Sequence, residues 1–189
     1  MSQVRVSGNA SGTGIFTVAS PNSNTNRTLT LPDNTGTLLS SASTGTVLQV
    51  VSATYSTRQS FATTSGVYQS TGLTATITPS SASSKVLVLV TATHQSYYAS
   101  STNIGSSLGL NRNSTKIAGF VGNHVGTITN GENNAPTGGM VVLDSPATTS
   151  ATTYTVLVTS LGASQTVYFN GTYGVTGFDS FITLMEIAG

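Results

Sequence analysis

Fixed charge is what this chain has least of. Six basic and five acidic side chains are spread over 189 residues, or 6%, where a soluble domain ordinarily carries about 25%. Active sites are built from clustered acids, bases and metal ligands, so the scarcity argues against catalysis. It favours a structural or adhesive protein that assembles with copies of itself. Cysteine is absent, which removes both a disulfide framework and any thiolate metal site. No apolar run approaches the ~20 residues of a membrane-spanning helix, and the opening MSQVRVSGNASG lacks the apolar core of a secretory signal. A net charge of +1 offers no basic field for nucleic acid. The expectation is a soluble, non-enzymatic protein made in a reducing cytoplasm, with no cofactor, no bound metal, no nucleic-acid partner and no membrane insertion.

What is present is β-forming. Apolar residues make up 37% of the chain, too many for a disordered polymer of this low net charge. They fall in short runs rich in β-branched residues, separated by Ser, Thr, Asn and Gly, with no helical period competing. Residues 1–39 read as a small β module with strands at 3–6, 14–18, 27–31 and 37–39. Pro32-Asp-Asn-Thr-Gly36 supplies its turn chemistry. So short a unit has too few large apolar side chains for a core of its own, so it must wrap on copies of itself or dock on a partner. Ser40-Ser-Ala-Ser-Thr-Gly45 is a flexible linker. From 46 to 189 the spacing predicts strands at 46–56, 66–70, 73–79, 85–95, 107–112, 115–121, 139–143, 153–159, 165–170 and 180–187. Regularly spaced short strands of this kind make a sandwich or barrel.

Two of these strands are apolar on both faces. In KVLVLV (85–90), Val86, Val88 and Val90 alternate with Leu87 and Leu89. In FITLMEIA (181–188), Phe181, Met185 and Ile187 share one face, and Ile182, Leu184 and Ala188 the other with Glu186. A strand with one wet face should alternate with polar residues, and an exposed apolar face is an aggregation hazard. The reading is that both strands lie at a subunit interface formed by Val86, Leu87, Val88, Leu89, Val90, Leu184, Met185 and Ile187. The alternative is two central strands covered by a long loop.

Little else suggests chemistry. His94 shares a face with Val90 and Ala92, as an interior or interface histidine would, and His124 sits in a Gly-rich stretch that reads as an exposed loop. Their separation gives no metal spacing; in a trimer one histidine per chain could meet on the axis. Asp33, Glu132, Asp144 and Asp179 flank turns, while Glu186 on its apolar strand calls for a partner, with Lys85, Arg112 and Lys116 as candidates. The acids show no paired arrangement for glycan cleavage. Stretches 96–106, 121–137 and 171–179 read as the longest loops. Within or beside them Tyr97, Tyr98, His124 and Tyr173 are the candidates for contacting a host-surface glycan or protein.

The stretches SGNASGTGIFTV (7–18) and NRTLTLPDNTGTL (26–38) resemble a segment that recurs in tailed-phage virion proteins, often tail fibres. The resemblance implies an attachment or trimer-threading module, with Arg27, Leu29, Leu31 and Pro32 on the virion. The remainder, with DSPATTSATTYTV (144–156) and the closing FITLMEI (181–187), resembles the trimeric jelly-roll head of complement-type and tumour-necrosis-factor-like proteins. In such heads the long early strand and the last strand pack near the three-fold axis. Together these imply an all-β homotrimer: a module at 1–39, a linker at 40–45 and a jelly-roll head at 46–189. It would be a virion component, made in the host cytoplasm and partnered by itself and by tail or capsid proteins. Its role would be a short fibre or adhesin recognising the host surface, or alternatively a capsid decoration (cement) protein, with copy number per particle separating the two.

Overall fold

Side chains that alternate every second residue can bury one face of a strand only against a second sheet, and that is how this chain is arranged. The computed structural model describes residues 11–15, 17, 19, 22–26, 28, 44–63, 66–97, 101–128, 137–162, 165–172 and 174–189, with backbone alone at 63, 101–104, 120–128, 137, 172 and 175. Two units divide the chain, Met1–Thr37 and Leu38–Gly189. In the first, the strand expected at 14–18 is not formed at its described positions 14, 15 and 17, and Ile15 stands open to solvent. Too little apolar surface is available there to hold a sheet. The strands expected at 3–6 and 37–39 lie outside the described residues, as does 27–31 except for residue 28.

The second unit is all-β, with no helix among the described residues. Its strands are β1 (Val47–Tyr55), β2 (Gln59–Thr63), β3 (Gln69–Ile77), β4 (Lys85–Tyr97), β5 (Ser101–Arg112) and β6 (Thr115–Ile128). They continue with β7 (Thr137–Asp144), β8 (Thr152–Ser160), β9 (Gln165–Phe169), the small hairpin β10 (Gly171–Thr172) and β11 (Val175–Thr176), and β12 (Ser180–Ile187). One sheet runs β1-β12-β4-β9-β2 with β7 also on β4; the other runs β3-β8-β5-β6. All pairings are antiparallel.

Two of these strand pairs are interrupted lines. Phe169 pairs with His94 and Phe181 with Thr91, so β9 and β12 follow one another along β4, with residues 171–179 looped out. Likewise β1 and β2 run along that composite line, broken at 56–58. Counted as lines, there are eight. The first, eighth, third and sixth form one sheet, and the second, seventh, fourth and fifth the other, which is the winding of a jelly roll.

Between the sheets lie Val86, Val88, Val90 and Ala92 of β4, Ile182 and Leu184 of β12, Val167 and Phe169 of β9, Leu108 and Leu110 of β5, and Tyr154, Val156 and Val158 of β8. Three expectations are corrected. The strands read at 66–70 and 73–79 are one strand, β3, whose register shifts between Ser70 and Thr74 around Gly72 at φ 79°. The loops read at 96–106 and 121–137 are largely the long hairpin of β5 and β6. Finally, β2 was not foreseen. The β5 and β6 segments, rich in Ser, Asn and Gly, resemble loops by composition, and β2 (QSFAT) is too short to show an alternation, but the backbone ladder holds them whatever their side chains.

Outside the second sheet, Tyr68 lies across Gly109 and Gly119, where a Cβ on Gly109 would come within 2.7 Å of the ring. Lys116 Nζ sits 3.7 Å from the ring centroid, and the phenol reaches Ser107 Oγ at 3.0 Å. The aromatic replaces the side chains these strand glycines lack.

Asn170 closes the break in the interrupted lines. It is fully buried at φ 55°, a region asparagine tolerates. Its amide donates to the carbonyls of Tyr55 and Thr57, its Oδ1 accepts from the Ser180 hydroxyl, and its backbone N–H donates to Thr93 O at 2.9 Å. Replacing Asn170 with Ala strands the Tyr55 carbonyl and adds left-handed strain. We expect a loss of about 2–4 kcal/mol in chemical denaturation.

Candidate functional site

Residues directly opposite one another in an antiparallel ladder point to the same side, so the register maps the outer face of the β1-β12-β4-β7 sheet. One row across four strands is Val50, Met185, Leu87 and Leu143; the next is Ser52, Thr183, Leu89 and Val141. Beyond them lie Thr54, Phe181, Thr91 and Gly139 on one side, and Val47, Ile187 and Lys85 on the other. Val47, Val50, Val141, Leu143 and Phe181 are 46–71% exposed. They are five of the eight large apolar side chains left in solvent among the described residues, and Lys85 is the one charge within these four rows. The outer side of the other sheet is different: Thr76 and Thr153 meet there hydroxyl to hydroxyl at 2.8 Å. Apolar outer surface is concentrated on one sheet.

The eight residues read as an interface divide in two. Val86, Val88, Val90 and Leu184 point inward and are core residues, between 0 and 3% exposed. That part of the assignment is corrected: the second sheet already covers them. Leu87, Leu89, Met185 and Ile187 point outward, half-buried among their neighbours, and belong to the apolar face. Val50, Val141, Leu143 and Phe181, which join them, were not singled out. For Val50, Val141 and Leu143 the signal was apolar residues on the outward parity of strands that otherwise read as ordinary; Phe181 already shared the outward face of its strand with Met185 and Ile187.

Of the surface-contact candidates, Tyr97 ends β4, with its ring centroid 6.4 Å from that of Tyr168, and Arg58 lies 4.4 Å over the Tyr168 ring. His124 is on strand β6 opposite Gly105, a correction to its reading as a loop residue. Tyr98, Tyr173 and the attachment residues Arg27, Leu29, Leu31 and Pro32 lie outside the described residues.

The interior changes character along β4. Past Ala92 the inward positions are His94 and Ser96, faced by the buried Ser106, Ser160 and Gln165. His94 Nδ1 meets Ser106 Oγ at 2.7 Å, while its Nε2 has no hydrogen-bond partner. Burial holds its pKa down at about 4. A Ser–His pair so enclosed admits no substrate.

Glu186 is also fully buried, yet its partners are not the cations expected for it. Gln49 Nε2 donates to Oε2 at 2.6 Å, and the Ser80 amide and hydroxyl each donate to Oε1 at 2.7 Å. Burial alone would raise its pKa, but the bonds from Gln49 and Ser80 outweigh it and hold the carboxyl at about 2. Arg112 instead binds both oxygens of Asp144, at 2.9 and 3.0 Å, and Tyr154 donates to Oδ2 at 2.7 Å. This replaces the turn role read for Asp144 and pins β7 to β5 and β8. Burial and then Asp144 raise the Tyr154 pKa. Among the described residues no three of His, Cys, Asp and Glu gather to hold a metal.

No family model matches the chain, and no curated protein matches it in sequence. Solved structures of infectious bursal disease virus show some likeness. The Gx strain is 12% identical with a TM-score of 0.32, over 76% of this chain and 39% of that one. A viral particle of the same virus is 12% identical with a TM-score of 0.34, over 74% and 36%. The chain thus spans well under half the length of either. Similarity of this degree assigns no function.

The buried acid and base set the pH response. His94 is depressed from 6.5 to about 4, so the unfolded chain binds the extra proton between those values. Its contribution, of order 3 kcal/mol, is complete above pH 6.5 and is lost as pH falls towards 4. Glu186, depressed from 4.5 to about 2, extends the loss below pH 4.5. Urea midpoints measured from pH 7 to 4 should fall, and His94→Gln should flatten that slope.

Proposed function

We propose that the chain is a non-enzymatic structural protein of a phage virion that assembles as a homotrimer and presents its sandwich as a short fibre or adhesin head. The carrying observation is the apolar outer face of the β1-β12-β4-β7 sheet. Rows such as Val50, Met185, Leu87 and Leu143 form a contiguous patch, which in soluble proteins marks an association surface. Such a patch with a single lysine at its corner suits another apolar protein surface better than a charged one. Scarce charge and the virion-like segments at 7–18 and 26–38 support the same reading. Contacts among copies would depend on burial, which salt does not screen as it screens ion pairs. Host recognition would fall to the end of the sandwich that carries Tyr97, Tyr168 and Arg58, by binding without turnover.

The capsid-decoration reading uses the same trimer. Imaging the particle separates the two, since cement proteins coat the head in many copies and fibres occupy a few tail positions. Native mass spectrometry should show assemblies in multiples of three 19.2 kDa chains, and a monomer at micromolar concentration would refute the three-fold assembly. Leu87→Asp or Met185→Asp should abolish the three-fold assembly while leaving the chain folded. Val88→Asp, which buries an unpaired charge in the core, should unfold the chain.

A further inference from the structure

Each sheet has two edges, and an edge strand with free amides and carbonyls invites another strand unless something blunts it. Three of the four are interrupted or charged. β1 shifts register between Val47 and Gln49 and stops at 56–58; β3 shifts between Ser70 and Thr74; β6 carries Lys116 and faces two shifts in β5. β7 has none of these. It pairs with β4 without interruption from Thr137 to Asp144, and its sequence TGGMVVLD has no proline and no lysine. Its one charge, Asp144, is held by Arg112. Alternate backbone groups of β7 face away from β4, and Val141 and Leu143 project from it at 71 and 56% exposure. Beside it runs a groove of about 280 Å³ lined by Ala118, Gly119, Gly139, Met140, Val141 and Val142.

We propose that β7 is a strand-pairing edge whose occupant is β7 of a second copy, antiparallel about a two-fold axis at Val141. The pattern is self-complementary. With Val141 opposite the partner's Val141, Gly139 falls opposite the partner's Leu143 and Met140 opposite the partner's Val142. Each pair keeps one side: Gly139, Val141 and Leu143 outward, Met140 and Val142 inward. Gly139 has the space for a facing leucine, since a Cβ placed there would meet only the Val90 carbonyl, at 3.5 Å. No like charges meet between 137 and 143. The pairing also carries the apolar rows through Leu143 and Val141 into the second copy, as an isologous contact. It uses the backbone edge of β7 where the three-fold contact uses the face of the sheet, and the two together would join trimers in pairs.

The absence of cysteine makes a single introduced thiol a clean probe. On the axis, Val141→Cys places two Cα atoms about 4.5–5.5 Å apart, within disulfide reach. Mild oxidation should convert V141C almost fully to a covalent dimer on a non-reducing gel, while T76C, exposed on the outer side of the other sheet, stays monomeric. Native mass spectrometry of the unmodified chain should show even-numbered assemblies. In a Leu87→Asp background, which lacks the three-fold contact, Val141→Lys sets two ammonium groups face to face and should split the remaining dimers into monomers. Cross-linking of V141C no faster than T76C, or L87D dimers left intact by V141K, overturns the proposal. Loss of the three-fold assembly alone would leave dimers still split by V141K.

Discussion

Over most of its apolar run strand β4 is hydrogen-bonded on both edges, to β12 on one side and β7 on the other, and its last residues continue onto β9. Its inward valines face the second sheet and form the middle of the core, while Leu87 and Leu89 face out between Met185, Thr183, Leu143 and Val141. A strand so placed fixes the register of three neighbours at once. The apolar outer face follows from that register, because the outward residues of three separate segments line up only when β4 aligns them.

The second constraint is how few ions the chain has to spend on its interior. Where buried polar groups are paired, the partners are mostly neutral: Gln49 and Ser80 on Glu186, Ser106 on His94, Asn170 on Tyr55 and Ser180. The Arg112–Asp144 pair, reinforced by Tyr154, ties one edge of the sandwich across its two sheets. A carboxylate held by three donors stays ionised without a cation, which is why Glu186 could sit on an apolar strand. The same economy leaves His94 in the interior without a partner for its second ring nitrogen, and makes acid a direct challenge to the fold.

Much of the architecture was legible. The runs at 85–95, 153–159 and 180–187 could be placed as strands from alternation and β-branching alone; the structure lengthens the first two by two residues each and keeps the third as read. Segments whose strands are made of Ser, Gly and Asn, such as the first half of Ser101–Arg112 and the later half of Thr115–Ile128, could not. There the ladder is backbone, and the side chains carry no periodic signal. Asn170, Gln49 and Ser80 were equally invisible, because each acts on residues more than 100 positions away, or, for Asn170 and Ser180, across the looped-out 171–179.

Alternation and composition were enough to make the chain all-β, nearly free of charge, and built on two strands apolar on both faces. What they left open is which face of those strands belongs to the core. Alternation divides a strand into two sides but, when both are apolar, treats them alike. Only the second sheet, packing on Val86, Val88, Val90 and Leu184, made one side interior and left Leu87, Leu89, Met185 and Ile187 facing outward.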